Sequence, residues 1–325
     1  MQAYVYEYGA HKWKEMPDPT PNRDEVVVKI KVAGLNRRDL YIAGRLGPDK
    51  PALILGSDGA GIVESIGENV TDLEIGDEVI INPSLDWEKN TPAPPKGFEI
   101  LGMPDHGTFA EKIVIAAKQV KKKPSYLSWE EAGVLALAGL TGYRALFTKG
   151  NLQKDETVFI PGAGSGVATF MIQFAKAQGA RVIVTSRDEE KRKKALEIGA
   201  DVAIDTASDW TEQLKDETID LVIESVGAVT FNRSLQLLKP GGAIVTFGAT
   251  AGDEVTINIR EFFYGQYKLF GSTMGSKEEF IEMLQFMEQH KIKPVVGHVF
   301  PASKLAEALE FLQVNKQFGK IAIQF

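Results

Sequence analysis

The segment VFIPGAGSGVATFMIQFAKAQGA, residues 158–180, constrains the fold of this chain more than any other. Its apolar start reads as a strand and VATFMIQFAKAQ as a helix, so the glycines occupy the turn between them. Glycine there permits a tight turn and close backbone approach to a pyrophosphate, whose charge is met by the N–H groups of the helix start. Gly162, Gly164 and Gly166 fill the tight part, with Ala163, Ser165 and Val167 interleaved, and Ala168 takes the last small position. No Lys-Ser/Thr pair comes after it to make a nucleoside-triphosphate loop, and Ser165 is not the centre of a G-x-S-x-G elbow. The loop is therefore expected to bind a dinucleotide.

The residues beyond this loop keep a regular rhythm. RVIVTSRDEEKRKKALEIGA, DVAIDT, DLVIESVG and GGAIVTFGA alternate apolar strands with helical segments, the pattern of a parallel sheet with crossover helices. The middle of the chain is expected to be a doubly wound α/β domain. Its second strand ends at Thr185-Ser186-Arg187, where an NAD site carries an acidic residue for the ribose hydroxyls. Ser186 and Arg187, with Lys191 one helical turn on, suit a 2′-phosphate instead, so NADP is the expected cofactor. The alternative is that Arg187 faces solvent while Asp188 caps the next helix.

Ahead of this domain the chain reads as mostly β, with VVVKIKVAG and GAGIVESIG separated by the turn signals PDPTPNRDE and EIGDEV. Residues 82–106 are proline-rich, without a clear period, and are expected to form a long loop. Beyond Gly271, two amphipathic helical segments and the short strands PVVGHVF and KIAIQF are too little for a third domain and should complete the first. The chain has no cysteine, which excludes disulfides, thiolate metal sites and cysteine nucleophiles. A net charge of −7 gives little reason to expect nucleic acid or a membrane surface as partner. With neither a signal pattern nor an apolar run near the roughly 18 residues of a span, a cytoplasmic protein is expected.

The order of parts, from GSDGAGIV and EIGDEV through AGLTGYRAL, the glycine loop, SVG, KPGGAIVTFG and GSTMGS to FGKI, resembles the medium-chain dehydrogenase/reductase superfamily over essentially the whole chain. The resemblance implies a Rossmann doubly wound parallel-sheet domain over residues 123–264. It implies a β-rich GroES-like catalytic domain over residues 1–122 and 265–325. Zinc-dependent members carry a G-H-E-x-x-G-x-V strand, and here Ser57 and Asp58 replace the His-Glu pair. Asn36 in GLNRRD stands where those members have a cysteine ligand, and the proline-rich lobe lacks the four cysteines of a structural zinc site. The zinc-free, quinone oxidoreductase-like branch is the closest match.

That branch's N-x-x-D-x-Y segment corresponds to Asn36, Asp39 and Tyr41, and its threonine to Thr141 in GLTGY. The resemblance implies that Asn36 and Tyr41 are catalytic, with water the alternative proton source, and that Thr141 lies by the nicotinamide. A packed core aromatic is the other reading of Tyr41. Ser225-Val226, Phe247-Gly248 and Ser272-Thr273-Met274 match strand ends that contact the cofactor. The expected function is zinc-independent, NADPH-dependent reduction of quinones or α,β-unsaturated carbonyls, with a small-molecule substrate. An enoyl-thioester or carbonyl reductase, or a non-catalytic NADPH-binding regulatory or RNA-associated protein, stands as the alternative. Enoyl-thioester reductases of the superfamily carry a tyrosine near the position of Leu46, which weighs against that activity. A homodimer is expected, joined by edge strands of the cofactor domain with VTINI (residues 255–259) as the edge.

Overall fold

The computed structural model describes residues 1–47 and 49–325, with Ala43 described by its backbone alone. The chain divides into two compact units, Met1–Leu140 with Gly275–Phe325, and Thr141–Met274. The sequence expectation drew the cuts after residues 122 and 264. In the structure the strand Lys268–Gly271 still belongs to the middle unit's sheet, which carries that unit beyond residue 264.

In the first unit the ten-residue strand Glu25–Gly34 is the spine. It is apolar along most of its length because it is buried on both faces. It pairs antiparallel with Asp58–Ile66, Lys112–Ala116 and Lys320–Gln324. Glu78–Ile81 and Val120–Lys122 extend the sheet on one side, and Val296–Pro301 lies parallel to Lys320–Gln324 on the other. Gly61 is where two strands press closest, since a Cβ there would stand 2.1 Å from the Lys29 carbonyl oxygen. The segment 82–106, expected as a loop, holds a small antiparallel pair, Ser84–Leu85 with Glu99–Ile100. Trp87 is its buried centre, packed edge-on against Phe98. The Ser84 hydroxyl donates to the Gly275 carbonyl, and the Lys277 N–H donates to the Trp87 carbonyl, so the lobe is fastened to the start of the helix Lys277–His290.

The second unit is a parallel sheet. Among the described residues its strands run in the order Val202–Ile204, Arg181–Thr185, Thr157–Pro161, Ile219–Glu224, Leu238–Thr246, Lys268–Gly271. Numbered along the chain this is 3-2-1-4-5-6, the doubly wound order, whose direction reverses between Thr157–Pro161 and Ile219–Glu224. One face of the core packs Phe159, Ile183, Val222 and Ile244 with Trp210. The helix Gly166–Gln178 ends at Gly179, left-handed at φ 86°, whose N–H closes onto the Ala175 and Lys176 carbonyls.

The expectation for residues 255–259 is corrected. They form no strand, because the Asn258 side chain accepts from the Arg260 and Glu261 N–H groups and starts the helix Ile259–Tyr264. The edge strand of the sheet is Lys268–Gly271, which is exposed and presents Leu269 and Phe270. Among the described residues no helix is long and apolar enough to cross a membrane.

Gly61→Ala should lower the unfolding free energy by about 1–3 kcal/mol, as the strands must part to admit the methyl group. Urea denaturation of the purified variant measures it.

Candidate functional site

In the second unit the glycine loop, Ser186-Arg187, Ser225-Val226, Phe247-Gly248 and Ser272-Thr273-Met274 follow the carboxyl ends of the parallel strands. The glycine loop and Ser225-Val226 flank the point where the strand order reverses, while Thr141 and Lys191 lie on the helices Ala136–Tyr143 and Glu189–Glu197. Gly162 has φ 87°, a conformation that glycine alone adopts without strain, and its N–H and that of Ala163 donate to the Thr185 carbonyl at 3.2 and 2.8 Å. Ser165 closes the loop as the N-cap of Gly166–Gln178, its hydroxyl accepting from the Ala168 N–H at 3.1 Å. That helix has no acidic residue in its first turn, so its positive end is left for an anion. The aliphatic stem of Lys191 lies over Gly164: a Cβ there would stand 2.7 Å from Lys191 Cδ and 3.3 Å from Nζ. A side chain at 164 would fill the place where a phosphate could meet the loop and displace the lysine. Burial holds the Lys191 ammonium below its usual range, helped by Arg187 and Lys194 and opposed by Asp188. These residues fit a dinucleotide phosphate.

At the second strand end, Asp188 is committed as a cap: its Oδ1 accepts from the Lys191 N–H at 3.1 Å. Its own N–H donates to Ser186 Oγ at 3.2 Å. Arg187 is exposed. Arg192, which the sequence reading passed over, donates from Nη1 to the Ser186 carbonyl at 2.7 Å and braces this corner.

The next strand end is organised by Glu224, also missed from sequence. Its carboxylate is fully buried and accepts from the N–H groups of Val226 and Gly227, the Thr230 hydroxyl and the Ser234 hydroxyl, at 2.7 to 3.1 Å. It thereby fixes the turn Ser225-Val226-Gly227, and the Val226 side chain lies against Gly162. Gly248 approaches so closely that a Cβ would stand 2.9 Å from the Ser225 carbonyl oxygen, and Phe247 donates its N–H to the Glu224 carbonyl. Ser272 donates its N–H to the Thr246 carbonyl, while its hydroxyl is buried without a hydrogen-bond partner. Thr273 is exposed. Met274 is buried in a left-handed backbone at φ 39°, and the Thr141 hydroxyl donates to its sulfur at 3.7 Å.

The first unit holds a separate buried network. Lys320 Nζ donates to the Leu35 carbonyl at 2.8 Å, Asn36 Oδ1 at 2.6 Å and Asp58 Oδ2 at 3.0 Å, with side chains of Lys320 and Asp58 only 4% and 0% exposed. Asn36 Nδ2 also donates to Asp58 Oδ2, and the Leu137 N–H donates to Asp58 Oδ1 at 2.7 Å. Both polar atoms of Asn36 are thus engaged inside the protein. Asp39 opens the helix Asp39–Leu46 and accepts from the Asn36 N–H. Complete burial pushes its carboxyl up to about 7, against the N–H of Asn36 and the charges of Arg38 and Lys320. Tyr41, on the same helix, is half exposed, which sets aside the core-aromatic reading.

Ser57, at the position of the zinc-binding histidine, is fully buried, and its hydroxyl donates to the Leu101 carbonyl at 2.7 Å. Arg38 Nη1 donates to both, at 2.5 and 2.8 Å. A guanidinium there is the opposite of a cation ligand, and among the described residues no group of three His, Asp or Glu side chains could hold a metal. The residues do not fit zinc.

Two family profiles match. "Alcohol dehydrogenase GroES-like domain" covers residues 22–125 and "Zinc-binding dehydrogenase" residues 166–289. The chain is 34% identical to a zinc-type alcohol dehydrogenase-like protein of Schizosaccharomyces pombe, over 93% of this chain and 91% of that one. It is 31% identical to the acryloyl-coenzyme A reductase of Sulfurisphaera tokodaii, over 97% and 96%. With the human quinone oxidoreductase it shares 28% over 94% and 92%. A crystal structure of an NAD-dependent alcohol dehydrogenase superposes with a TM-score of 0.93 at 34% identity, over the whole of both chains.

Lys320→Met should cost about 3–5 kcal/mol of stability, because it leaves the Asp58 carboxylate buried and uncompensated. Adding Asp58→Asn should recover part of the loss, which unfolding curves of the single and double variants compare. Asp39 gives a pH signature. Its folded-state pKa lies above an unfolded value of about 3.9, so its contribution is lost as pH rises from about 4 to about 7 and is constant above. Asp39→Asn should flatten that part of the decline in thermal midpoints measured from pH 4 to pH 8.

Proposed function

The chain belongs to the medium-chain dehydrogenase/reductase superfamily and is an oxidoreductase of that lineage without the ligands for catalytic zinc; from this premise we propose that it is an NADPH-dependent reductase of quinones or α,β-unsaturated carbonyl compounds. The observation that carries the reading is a contrast between two strand ends. The phosphate loop has its full cradle, whereas the zinc position is taken by Ser57 under the cation of Arg38. An acceptor whose electrophilic carbon is already activated needs no Lewis acid, whereas alcohol oxidation uses a metal to acidify the hydroxyl.

The glycine loop with Lys191 would hold the pyrophosphate, and Ser186 with Arg187 the 2′-phosphate. Thr141, Ser225, Val226, Phe247, Gly248 and the stretch Ser272-Thr273-Met274 would hold the nicotinamide half. When bound, the dinucleotide supplies hydride. Tyr41, or water, would supply the proton, and Asn36 would act as a positioning residue through its bonds to Asp58 and Lys320. The 31% identity with an acryloyl-coenzyme A reductase favours a second acceptor class, enoyl thioesters, within the same hydride chemistry. The exposed apolar edge Lys268–Gly271, flanked by Phe263 and Tyr264, supports a homodimer in which two such edges pair. A cytoplasmic location completes the reading.

NADPH preference rests on Ser186 and Arg187 at the end of the second strand with Lys191 one helical turn on; the capping by Asp188 and the exposure of Arg187 also fit the alternative in which Arg187 only faces solvent. Hydrogen bonds to charged groups are worth about 1.5–3 kcal/mol, so Arg187→Ala should weaken NADPH binding about ten- to a hundredfold and leave NADH nearly unchanged. Dissociation constants for both cofactors at one salt concentration check this, and an unchanged NADPH constant would reduce Arg187 to a solvated charge. Cofactor oxidation followed with quinones, enones, enoyl thioesters and aldehydes tests the acceptor class.

A further inference from the structure

Arg38 is a half-buried cation with unusual partners. Its Nη1 is pinned by two neutral oxygens, the Ser57 hydroxyl and the Leu101 carbonyl. It makes no ion pair with a carboxylate among the described residues, although Asp39, Asp58 and Glu99 are near enough to favour its charge. Its remaining nitrogens, Nε and Nη2, have no hydrogen-bond partner among the described residues. Neither is a buried unsatisfied atom, in contrast to Nε of the adjacent Arg37, so both reach solvent. Burial pulls the guanidinium below its usual range, and Arg45 adds to that pull, but an arginine remains charged in a protein. The fold thus holds a cation rigidly at one nitrogen and keeps its other donors open. A strut that only joined Ser57 to Leu101 would need no charge, because Ser57 already donates to that carbonyl itself.

We propose that Arg38 is the electrophilic residue of the reductase reading above, its open N–H groups binding the carbonyl oxygen of the acceptor at the place where zinc-dependent relatives put their metal. The acceptor gains hydride at its β-carbon while the nicotinamide is oxidised. The electron pair of the C=C bond moves to form the enolate, and the negative charge that reaches oxygen faces the guanidinium. A proton from Tyr41 or water then goes to the α-carbon, or to oxygen in a quinone, and the electrons balance without a further reactant. Ser57 and Leu101 are positioning groups in this scheme, since they set the plane in which Arg38 presents its donors.

The need for such a residue grows as the acceptor becomes less electron-poor. NADPH oxidation by wild type, Arg38→Gln, Arg38→Ala and Arg38→Lys, across a series from a quinone to an aliphatic enone, reads this dependence. Arg38→Gln should lower kcat for the enone about 10²–10³-fold, the range for removing an oxyanion donor, and lower it less for the quinone. The NADPH dissociation constant, measured by tryptophan fluorescence, should stay within about threefold of wild type. Arg38→Lys keeps the charge but not the fork and should fall between. Millimolar guanidinium ion should restore turnover to Arg38→Ala, an effect that a merely structural role would not produce. Equal losses on every acceptor, an unchanged kcat, or no rescue by guanidinium would overturn the assignment. Failure of the underlying reading shows in a different arm: wild-type protein that binds NADPH yet reduces no acceptor of the series.

Discussion

The Lys320 ammonium is surrounded by three oxygens, one for each of its protons, and the rest of the β-rich unit is arranged around that fact. Asp58 begins one strand, Leu35 and Asn36 come just after the end of another, and Lys320 begins a third. The fourth contact, from the Leu137 N–H, ties in the helix Ala136–Tyr143. A buried ion pair of this kind contributes little net stability over apolar residues of the same size, because desolvation offsets the attraction. What it confers here is register. A strand shifted by one residue would bury an unpaired charge, so the arrangement of strand ends is specified by the penalty attached to its alternatives. Asn36, Arg38, Asp39 and Tyr41 all lie on the stretch that this pairing fixes.

The parallel-sheet unit was legible in the sequence because its information is local. A glycine turn between apolar strand and helix, repeated strand–helix periods and a cap at Asp188 can each be read within a window of a few residues. The buried network was not legible. Lys320 precedes an apolar run and looks like an ordinary strand-end charge, while its partner Asp58 lies 262 positions away. Glu224 gave only a faint signal, an acidic residue ending an apolar strand that the fold does not expose to water. For residues 255–259 the β-branched side chains suggested a strand, but one asparagine offering its side-chain oxygen to two N–H groups outweighed them. Pairing distance and side-chain capping, not propensity, account for what was missed.

The lobe at residues 82–106 shows how a staple can be replaced. Where metal-bound relatives rely on thiolates, this chain buries an indole, packs Phe98 against it and joins the lobe to a neighbouring helix start by the Ser84 hydroxyl and by Glu278, which accepts from the Asn90 N–H. Trp87 Nε1 donates to the Thr91 hydroxyl, so the buried indole leaves no donor unmet. The anchoring is spread over several weak contacts and so requires no particular redox state or metal supply.

That the β-rich unit is made of two separated stretches also bears on how the protein is born. A ribosome delivers the chain from its N-terminus, and the Thr141–Met274 unit has all its strands in hand before Lys320 is translated. Until then Asp58 and Asn36 wait without their cation, and the strand Glu25–Gly34 has Val32 to Gly34 unpaired on one flank. The exposed interval ends when the strand Lys320–Gln324 arrives, so the nascent β-rich half carries a short unpaired strand edge through the whole synthesis of the dinucleotide half.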